Sequence, residues 1–299
     1  MNSTTSTQAL YLLGVDGGGT GTRVVLADAQ GRELARASAG PSGLAHGRAQ
    51  AWQAIQQACT LAFAAANLAQ PEIARIALGC GLAGVNNAAW GEEFVALNPG
   101  YAVVIAETDS YTNLLGAHGG AAGVVIALGT GSVGMVLQAN GERREVGGWG
   151  FPVGDEASGA WMGLQAMNYL QRSLDGRTPV DDFAQSLLEF CGGHKDAVFS
   201  WLAAANQTRY AQLAPIVIEY AQANKAARQI LLQAGLEVAS MALALDPTQS
   251  LPLALSGGLA EIVRPYVPEQ VQRRIQKAQG DSVAGALLLV QRSQIKAAA

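Results

Sequence analysis

Charged residues and long apolar runs are both scarce in this 299-residue chain. Only 14% of residues are charged, with 19 Lys+Arg against 23 Asp+Glu and a net charge of −4. Without a Lys/Arg cluster the chain lacks the electrostatic signature of binding to nucleic acid or to an anionic membrane. Apolar runs such as 121–128 and 284–290 are far shorter than the roughly 18 residues that a membrane-spanning helix needs. We therefore expect no nucleic-acid or membrane partner.

Several sequence signatures of known chemistry are absent. The three cysteines, Cys59, Cys80 and Cys191, form no CxxC pair, so a disulfide framework, a structural zinc site and a cysteine-held cluster are not expected. The chain has no HExxH, no GxxxxGK[ST] and no GxSxG. A histidine zinc site, a P-loop NTPase and a GxSxG serine nucleophile are therefore not expected. Its polar, Ser/Thr-rich start shows no basic region followed by an apolar run, so we expect no signal peptide and a cytoplasmic location.

Glycine, by contrast, is abundant and unevenly distributed. Of 36 glycines, 28 lie in residues 1–163 and only 8 in residues 164–299. Dense glycine is tolerated where turns need positive φ or where a ligand approaches the backbone. The first part of the chain is therefore the expected ligand-binding part.

The glycine clusters follow short apolar runs, which is the pattern of buried strands that end in functional loops. Between these runs lie stretches with helical periodicity, such as 48–68, and the region 161–245 is mainly helical in pattern. The sequence predicts mixed sheets flanked by helices, with a domain boundary near residue 118. The predicted strands lie at or near 10–15, 22–27, 76–78, 102–106, 124–128, 134–138 and 251–255.

The first glycine cluster contains an acid at the end of a predicted strand. Asp16 is followed by Gly17, Gly18, Gly19 and Thr20. Backbone without side chains offers N–H groups to a phosphate, and a neighbouring carboxylate can hold the accompanying Mg²⁺. The alternative is a hairpin turn with a solvated Asp, although three consecutive glycines exceed what a two-residue turn requires.

A second cluster, Gly129–Gly134, formally matches the dinucleotide fingerprint GxGxxG. That fingerprint requires a following helix, whereas the β-branched and apolar residues 133–137 predict a strand. A hairpin loop carrying Thr130 and Gly131 is therefore favoured over NAD binding. Two Gly/Thr hairpins are consistent with two parts of one phosphate site.

A carboxylate also follows the apolar run 102–106. Asp109 stands between Thr108 and Ser110, where it is suited either to capping a helix or to acting as a general base. The local pattern leaves both interpretations open.

Two further motifs lie in the second part of the chain. Gly148, Trp149, Gly150 and Asp155 combine a flat apolar ring with a carboxylate able to bind vicinal hydroxyls, as in sugar sites. A buried Trp and an acidic helix start are the structural alternative. The pair Gly257-Gly258 predicts either a tight strand-to-helix turn or a backbone platform for a nucleoside.

In chain order these motifs resemble the nucleotide site of the sugar kinase, heat-shock chaperone and actin superfamily. Within it, residues 147–159 closely resemble the N-acetylglucosamine kinases of the BadF/BadG/BcrA/BcrD ATPase family. The resemblance implies ATP and Mg²⁺ as cofactors, with a catalytic base, a metal-positioning acid, a nucleotide-binding set and a sugar-binding set. The resemblance makes Asp109 the catalytic base and Asp16 the acid that positions the metal. The nucleotide-binding set is Gly17, Gly18, Gly19, Thr20, Thr130, Gly131, Gly257 and Gly258. The sugar-binding set is Gly148, Trp149, Gly150 and Asp155.

The same resemblance implies the architecture. Two ribonuclease-H-like (actin-like ATPase) α/β domains with mixed sheets are expected around a hinged central cleft. Residues 1–117 with a C-terminal helix at about 282–299 would form the first domain, and residues 118–281 the second, with a helical insertion. Family members are often dimers, so a homodimer is an expectation as well.

The expected reaction is phosphorylation of the 6-hydroxyl of N-acetyl-D-glucosamine by ATP. Family members that bind this sugar usually carry an Asn where this chain has Gly43, so D-glucosamine is an alternative substrate. An activator-type ATPase and a nucleotide-dependent sensor without turnover are two functions that compete with the kinase interpretation.

Overall fold

The computed structural model of the chain describes residues 9–298. These residues form two compact units, one made of 9–121 and 278–298 and the other of Ala122–Lys277. Each unit contains one five-stranded mixed sheet with helices against it. This is the architecture of two ribonuclease-H-like, actin-like ATPase domains, and the fold class predicted from the sequence is confirmed. Within residues 9–298, no helix has the length and apolar character needed to cross a membrane.

The first unit opens with three antiparallel strands and continues with alternating helices and strands. Up to residue 121 its elements are β1 (Tyr11–Gly17), β2 (Thr22–Asp28), β3 (Glu33–Ala39), α1 (Arg48–Ala65), β4 (Ile76–Leu82), α2 (Ala88–Ala96), β5 (Val103–Glu107) and α3 (Asp109–Ala117). The strand order is β3-β2-β1-β4-β5, with β4 parallel to β1 and β5 parallel to β4. Strand β1 is therefore central, and its C-terminal end enters the first glycine loop.

The second unit repeats this sheet and inserts a run of helices before its fourth strand. Its elements are β6 (Gly123–Leu128), β7 (Ser132–Leu137), β8 (Arg143–Gly147), α4 (Gly159–Leu174), α5 (Asp182–Phe190), α6 (Lys195–Ala204), α7 (Gln207–Ala211), α8 (Ala214–Tyr220), α9 (Lys225–Leu245), β9 (Leu253–Ser256), α10 (Ala260–Val263), α11 (Glu269–Gln272) and β10 (Ile275–Gln276). The order is β10-β9-β6-β7-β8. Short 3₁₀ turns lie at Leu44–His46, Ile73–Arg75 and Arg264–Tyr266.

Helix α1 covers one face of the first sheet with an apolar stripe. Trp52, Ile55, Cys59 and Phe63 recur at helical spacing and are all buried. The Trp52 ring stacks on Phe94 of α2 with their centroids 4.4 Å apart. The helix predicted for this stretch is confirmed.

A last helix, α12 (Ser282–Ala298), returns to the first unit and packs closely because of glycines. A Cβ added at Gly14 of β1 would overlap the carbonyl oxygen of Val283, and one at Gly285 would overlap that of Thr112 in α3. Side chains at these positions would push the backbones apart. Part of the glycine excess therefore serves packing rather than ligand binding, which corrects the expectation drawn from the glycine count.

Candidate active site

The first glycine loop joins β1 to β2 in the first unit. The Gly18 N–H donates to the Gly21 carbonyl at 3.0 Å, while the backbone N–H groups of Gly19 and Thr20 donate to no other backbone group within residues 9–298. A Cβ at Gly18 would meet nothing within 4 Å. The loop therefore combines available donors with open space, as a phosphate-binding loop requires.

A neighbouring loop supports this backbone from the protein side. The N–H groups of Ser42 and Gly43 both donate to the Gly18 carbonyl, at 3.2 and 3.0 Å. The Ser42 hydroxyl in turn accepts a hydrogen bond of 2.7 Å from Thr22. A Cβ at Gly43 would lie only 3.2 Å from the Gly18 carbonyl carbon, so any side chain at position 43 would crowd the first glycine loop.

Asp16 precedes the loop and is paired across the hairpin. The register places Arg23 of β2 opposite it, and the Arg23 guanidinium donates through Nε at 3.0 Å and through Nη2 to the same oxygen, Oδ2. Burial raises the pKa of Asp16, and the hydrogen bonds and charge of Arg23 oppose that rise. Arg23 thus favours the ionised form of Asp16, against the larger effect of burial.

Asp109 is the first residue of α3, directly after β5. The capping side chain of this helix is Thr108, whose hydroxyl accepts the Tyr111 N–H at 3.2 Å. The half-buried Asp109 carboxylate accepts the N–H of Ser110 at 2.9 Å. The cap of α3 is therefore supplied by Thr108 and not by Asp109, which lies in the first turn of the helix.

The second glycine loop joins β6 to β7 in the second unit. The first turn of α4 holds it: the N–H of Gly159 donates to the Gly129 carbonyl at 2.9 Å and that of Ala160 to the Thr130 carbonyl at 3.2 Å. The N–H groups of Thr130 and Gly131 donate to no backbone group in the described part of the chain. A strand follows this loop, as predicted, so the GxGxxG match is not a dinucleotide fingerprint.

Asp155 lies against the second loop and is 4% exposed. Its Oδ1 accepts the Ser132 N–H at 3.3 Å, and its Oδ2 accepts a hydrogen bond from Nε2 of Gln207 at 2.6 Å. A Cβ at Gly131 would lie 2.9 Å from this carboxylate. Burial raises the pKa of Asp155. Gln207 is a contact that the sequence did not reveal, since it lies 52 residues away with no local motif to mark it.

The segment between β8 and α4 exposes an aromatic ring. Gly148 and Gly150 have φ of +71° and +80°, values that favour glycine, and the Gly154 N–H donates to the Gly150 carbonyl at 2.8 Å. Trp149, which lies between Gly148 and Gly150, is 83% exposed. The alternative of a buried Trp is therefore wrong, and the ring is accessible to a ligand.

A cavity of about 650 Å³ opens beside the second loop within the same unit. Gly257, with φ of +86°, is required there because a Cβ would overlap the Leu128 carbonyl oxygen, whereas a Cβ at Gly258 would meet nothing within 4 Å. The pocket is mainly apolar and has one charged residue, Glu219. Its lining residues are Gly129, Thr130, Gly159, Ala211, Ala214, Pro215, Ile218, Glu219, Gly258, Leu259 and Ile262.

A sequence model of the BadF/BadG/BcrA/BcrD ATPase family matches residues 13–290. The chain belongs to this family. Among solved structures, a proposed N-acetylglucosamine kinase from Chromobacterium violaceum is 45% identical to this chain and superposes on it with a TM-score of 0.91. The match covers 94% of this chain and 99% of that one.

Two curated relatives match over most of their lengths. Glucosamine kinase GspK of Vibrio cholerae is 29% identical over 279 residues, or 93% of this chain and 95% of that protein. N-acetyl-D-glucosamine kinase of Dictyostelium discoideum is 27% identical over 275 residues, or 83% of this chain and 85% of that protein. The similarity therefore extends across both units.

The residues present fit the nucleotide and metal that an ATPase of this family implies. The apolar cavity next to open glycine backbone suits a nucleoside joined to phosphates. Mg²⁺ keeps several waters and needs only one or two carboxylates besides the phosphates, which agrees with a single Asp16. No group of three or more His, Cys, Asp or Glu that could hold a metal occurs among residues 9–298.

The three cysteines are buried, with free thiols. Burial raises the pKa of Cys59 and Cys191 to about 11 and that of Cys80 to about 12. Burial therefore favours the neutral thiol of each cysteine.

Proposed function

We propose that the protein is an ATP-dependent kinase that phosphorylates the 6-hydroxyl of N-acetyl-D-glucosamine. The observation that carries this proposal is the position of Asp109, a half-buried carboxylate in the first turn of α3 whose helix is capped by Thr108 instead. Relatives of this protein that are named as amino-sugar kinases match it over most of its length. The three cysteines lie far apart in sequence and form no CxxC pair, which gives the competing function of an iron–sulfur activator no support.

Asp109 would accept the proton of the attacking sugar hydroxyl. Phosphoryl transfer relies on alignment and charge stabilisation, so one base suffices on the acceptor side. The hydrogen bond from the Ser110 N–H orients the carboxylate in the first turn of α3. A carboxylate held in this way can take up a proton without first reorganising.

The first unit would also hold phosphate and metal. The open N–H groups of the first glycine loop, with the Thr20 hydroxyl, would bind phosphate oxygens, and Gly18 leaves room for them. Gly19 would complete this backbone cradle, and Gly17, the last residue of β1, would lead into it. Asp16 would position the metal through water. When bound, Mg²⁺ neutralises charge on the transferring phosphates.

The second unit would bind nucleotide as well. Thr130 and Gly131 would donate to phosphates, and the cavity next to Gly257 and Gly258 would hold the adenosine. The apolar lining supplies the contact that a purine ring needs, while Glu219 is the one carboxylate in the cavity available to a ribose hydroxyl or a ring amine.

The sugar would lie against the segment that carries Gly148, Trp149 and Gly150. Exposure of the Trp149 ring supports this role, since a sugar's apolar face packs well on an aromatic face. Asp155 would accept hydrogen bonds from sugar hydroxyls: a carboxylate offers about four acceptor positions, and Ser132, Gln207 and the Phe151 backbone take three of them.

Glucosamine is the second candidate substrate, and one observation favours it. Gly43 packs on the Gly18 backbone, so this position offers no amide side chain to an N-acetyl group. The Vibrio cholerae relative is named a glucosamine kinase.

A substrate screen tests the proposal. Purified protein with Mg²⁺ and ATP is given N-acetylglucosamine, glucosamine, N-acetylmannosamine, glucose or no sugar, and ADP release is followed in a coupled assay. We expect rapid turnover with N-acetylglucosamine and a product phosphorylated at position 6 by phosphorus NMR, whereas the 6-deoxy sugar should inhibit without turning over. ADP release that no sugar stimulates would overturn the proposal, and a preference for glucosamine would select the second candidate. The homodimer and the cytoplasmic location stay predictions.

A further inference from the structure

His46 is an exposed histidine of the first unit that has no partner in the protein. It ends the 3₁₀ turn Leu44–His46, and its imidazole makes no hydrogen bond or ion pair with residues 9–298. Nothing in the sequence marks it, because the three histidines are isolated and form no motif with the spacing of metal ligands. The ring is therefore free to bind something other than the protein itself.

Backbone hydrogen bonds fix this turn to the first glycine loop. Just before the turn, the N–H of Gly43 donates to the Gly18 carbonyl at 3.0 Å. Leu44 is fully buried, and its N–H donates at 2.9 Å to the carbonyl of Ala83, which follows β4. The N–H of His46 donates to the Gly43 carbonyl at 3.0 Å. The backbone that carries the imidazole is thus held in place next to the loop.

The imidazole lies beside Gly19 of that loop. A Cβ added at Gly19 would lie 3.5 Å from Nε2 of His46. The N–H groups of Gly19 and Thr20 donate to no other backbone group within residues 9–298. Nε2 of His46 therefore adds a side-chain nitrogen to a stretch of open backbone donors.

Two arginines close to this segment in sequence are engaged by carboxylates. Arg23 of β2 pairs with Asp16. Arg48, two residues after His46, pairs with Glu93 at 2.6 Å and lies over the Trp90 ring at 5.7 Å. Of these three basic side chains, the imidazole is the one without a carboxylate partner among the described residues.

We propose that His46 is a nucleotide-binding residue whose Nε2–H donates a hydrogen bond to a phosphate oxygen held by the first glycine loop. This inference rests on the proposed kinase function. A phosphate offers more acceptor positions than two backbone N–H groups can fill, and a donor to a charged acceptor makes a strong hydrogen bond. A side chain on a fixed turn also has less freedom to lose when the ligand binds.

Calorimetric titration of the full-length protein with ADP in the presence of Mg²⁺ tests this inference. His46→Ala should bind ADP about tenfold more weakly, because a hydrogen bond to a charged group is lost. His46→Gln keeps an N–H donor on a side chain of similar reach and should bind within about threefold of the unsubstituted protein. The KM for the sugar should be unchanged in both variants.

Arg48→Gln is the matched control. It removes a positive charge two residues away that is already paired with Glu93, so it separates a direct contact from a general effect of charge. ADP affinity should stay within about twofold of the unsubstituted protein, since a charge paired at the surface acts weakly. Because the His46 ring makes no hydrogen bond in the protein, the His46 variants should unfold within about 2 °C of the unsubstituted protein.

Nuclear magnetic resonance of the histidine rings gives a second readout that does not depend on activity. The chain has only three histidines, so the ring signal missing from His46→Gln identifies His46. In the unsubstituted protein, ADP should move this signal, because a phosphate oxygen comes within hydrogen-bonding distance of the ring. Adenosine, which has no phosphate, should leave it in place.

The remaining outcomes overturn the proposal. Unchanged ADP affinity in His46→Ala, or a ring signal that ADP does not move, removes His46 from the phosphate site while the unsubstituted protein still phosphorylates its sugar. A raised KM for the sugar with normal ADP affinity would place His46 at the sugar instead. Failure of the unsubstituted protein to bind ADP at all would overturn the proposed function together with this inference.

Discussion

The two units share a sheet topology but support their glycine loops differently. In each, the central strand pairs antiparallel with the strand after the loop and parallel with a later strand. The first loop rests on the backbone N–H groups of Ser42 and Gly43, whereas the second rests on the first turn of α4 and on a buried carboxylate. The shared sheet thus fixes where a loop emerges, and later segments fix what holds it.

The acids of the two units differ accordingly. Asp16 belongs to the strand itself, and its 15% exposed side chain pairs with an arginine side chain that is 59% exposed. Asp155 lies 23 residues after Ser132, is buried, and accepts its N–H. Asp16 is therefore held by a side chain at the surface, whereas Asp155 is held inside and also supports the backbone of its own loop. Matched substitutions in the two units test this contrast.

The largest effect is expected from replacing the acid that begins α3, compared with the acid that begins α5. Asp109→Asn should lower kcat by at least about 100-fold with little change in the KM for ATP, because a general base contributes 10²–10⁴-fold. Asp182 begins α5 of the second unit after the cap Asp181, so Asp182→Asn removes a first-turn acid without a catalytic role. Steady-state kinetics should show normal kcat there, and both variants should lose only about 0.3–1 kcal/mol of stability.

Equal kcat losses in the two variants would show that the change acts through the helix rather than through a base. A normal kcat in Asp109→Asn would remove Asp109 from catalysis altogether.

The next largest effect concerns ion pairs of different burial. Arg274 and Asp246 in the second unit are 12% and 3% exposed, whereas Arg36 and Asp281 in the first unit are 46% and 41% exposed. Arg274→Met leaves a buried carboxylate unpaired and should destabilise the protein by about 3 kcal/mol. Arg36→Met should cost less than about 1 kcal/mol. Denaturant unfolding measures both, and equal losses would contradict the contrast.

The buried pair should also show a pH signature. Burial opposes ionisation of Asp246, but the Leu251 N–H, the Thr248 hydroxyl and the Arg274 charge hold the pKa of Asp246 below its usual value. A lowered pKa adds stability above the unfolded value of about 3.9, and this is lost as the pH falls through the folded pKa. The stability gap between the unsubstituted protein and Arg274→Met should thus narrow below about pH 4.

Local patterns in the sequence were enough for the two hairpins but not for the weaker strands. The apolar runs 10–15 and 124–128 are each followed by a glycine turn, and the strands predicted there are confirmed as β1 and β6. Strand β8, with the sequence Arg-Arg-Glu-Val-Gly, has no apolar run because it is an exposed edge strand. Its polar residues carry no periodic signal, and only pairing with β7 defines it.

The candidate site divides in the same way. Glycines and acids next to strand ends are visible in sequence because their chemistry is local, as for Asp16 and Asp109. Gln207 has no such signal, since its contact with Asp155 depends on how α7 packs. The cap of α3 was also ambiguous, because Thr108, Asp109 and Ser110 are all suitable capping residues.

The glycines of the two loops distinguish a ligand-facing from a protein-facing position. Gly18→Ala places its Cβ in open space, so stability should be unchanged or about 0.5 kcal/mol higher. Nucleotide binding should weaken about tenfold, because the methyl group displaces the phosphate. Gly131→Ala places its Cβ 2.9 Å from Asp155 and should cost about 1–3 kcal/mol of stability. Calorimetric titration with ADP and thermal unfolding measure the two effects, and unimpaired ADP binding by Gly18→Ala would contradict a phosphate role for the first loop.

The smallest effect separates ligand binding from mere exposure within the second unit. Trp149 and Val153 are 83% and 87% exposed in the same segment, and the remaining four tryptophans are buried or half-buried. Because neither side chain packs on the core, Trp149→Ala and Val153→Ala should both unfold at the temperature of the unsubstituted protein. Only Trp149→Ala should raise the KM for the sugar, by about fivefold, which corresponds to about 1 kcal/mol of ring contact. Equal KM values in the two variants would mean that the exposed ring does not contact the sugar, and the sugar's binding energy would then have to come from polar groups such as Asp155.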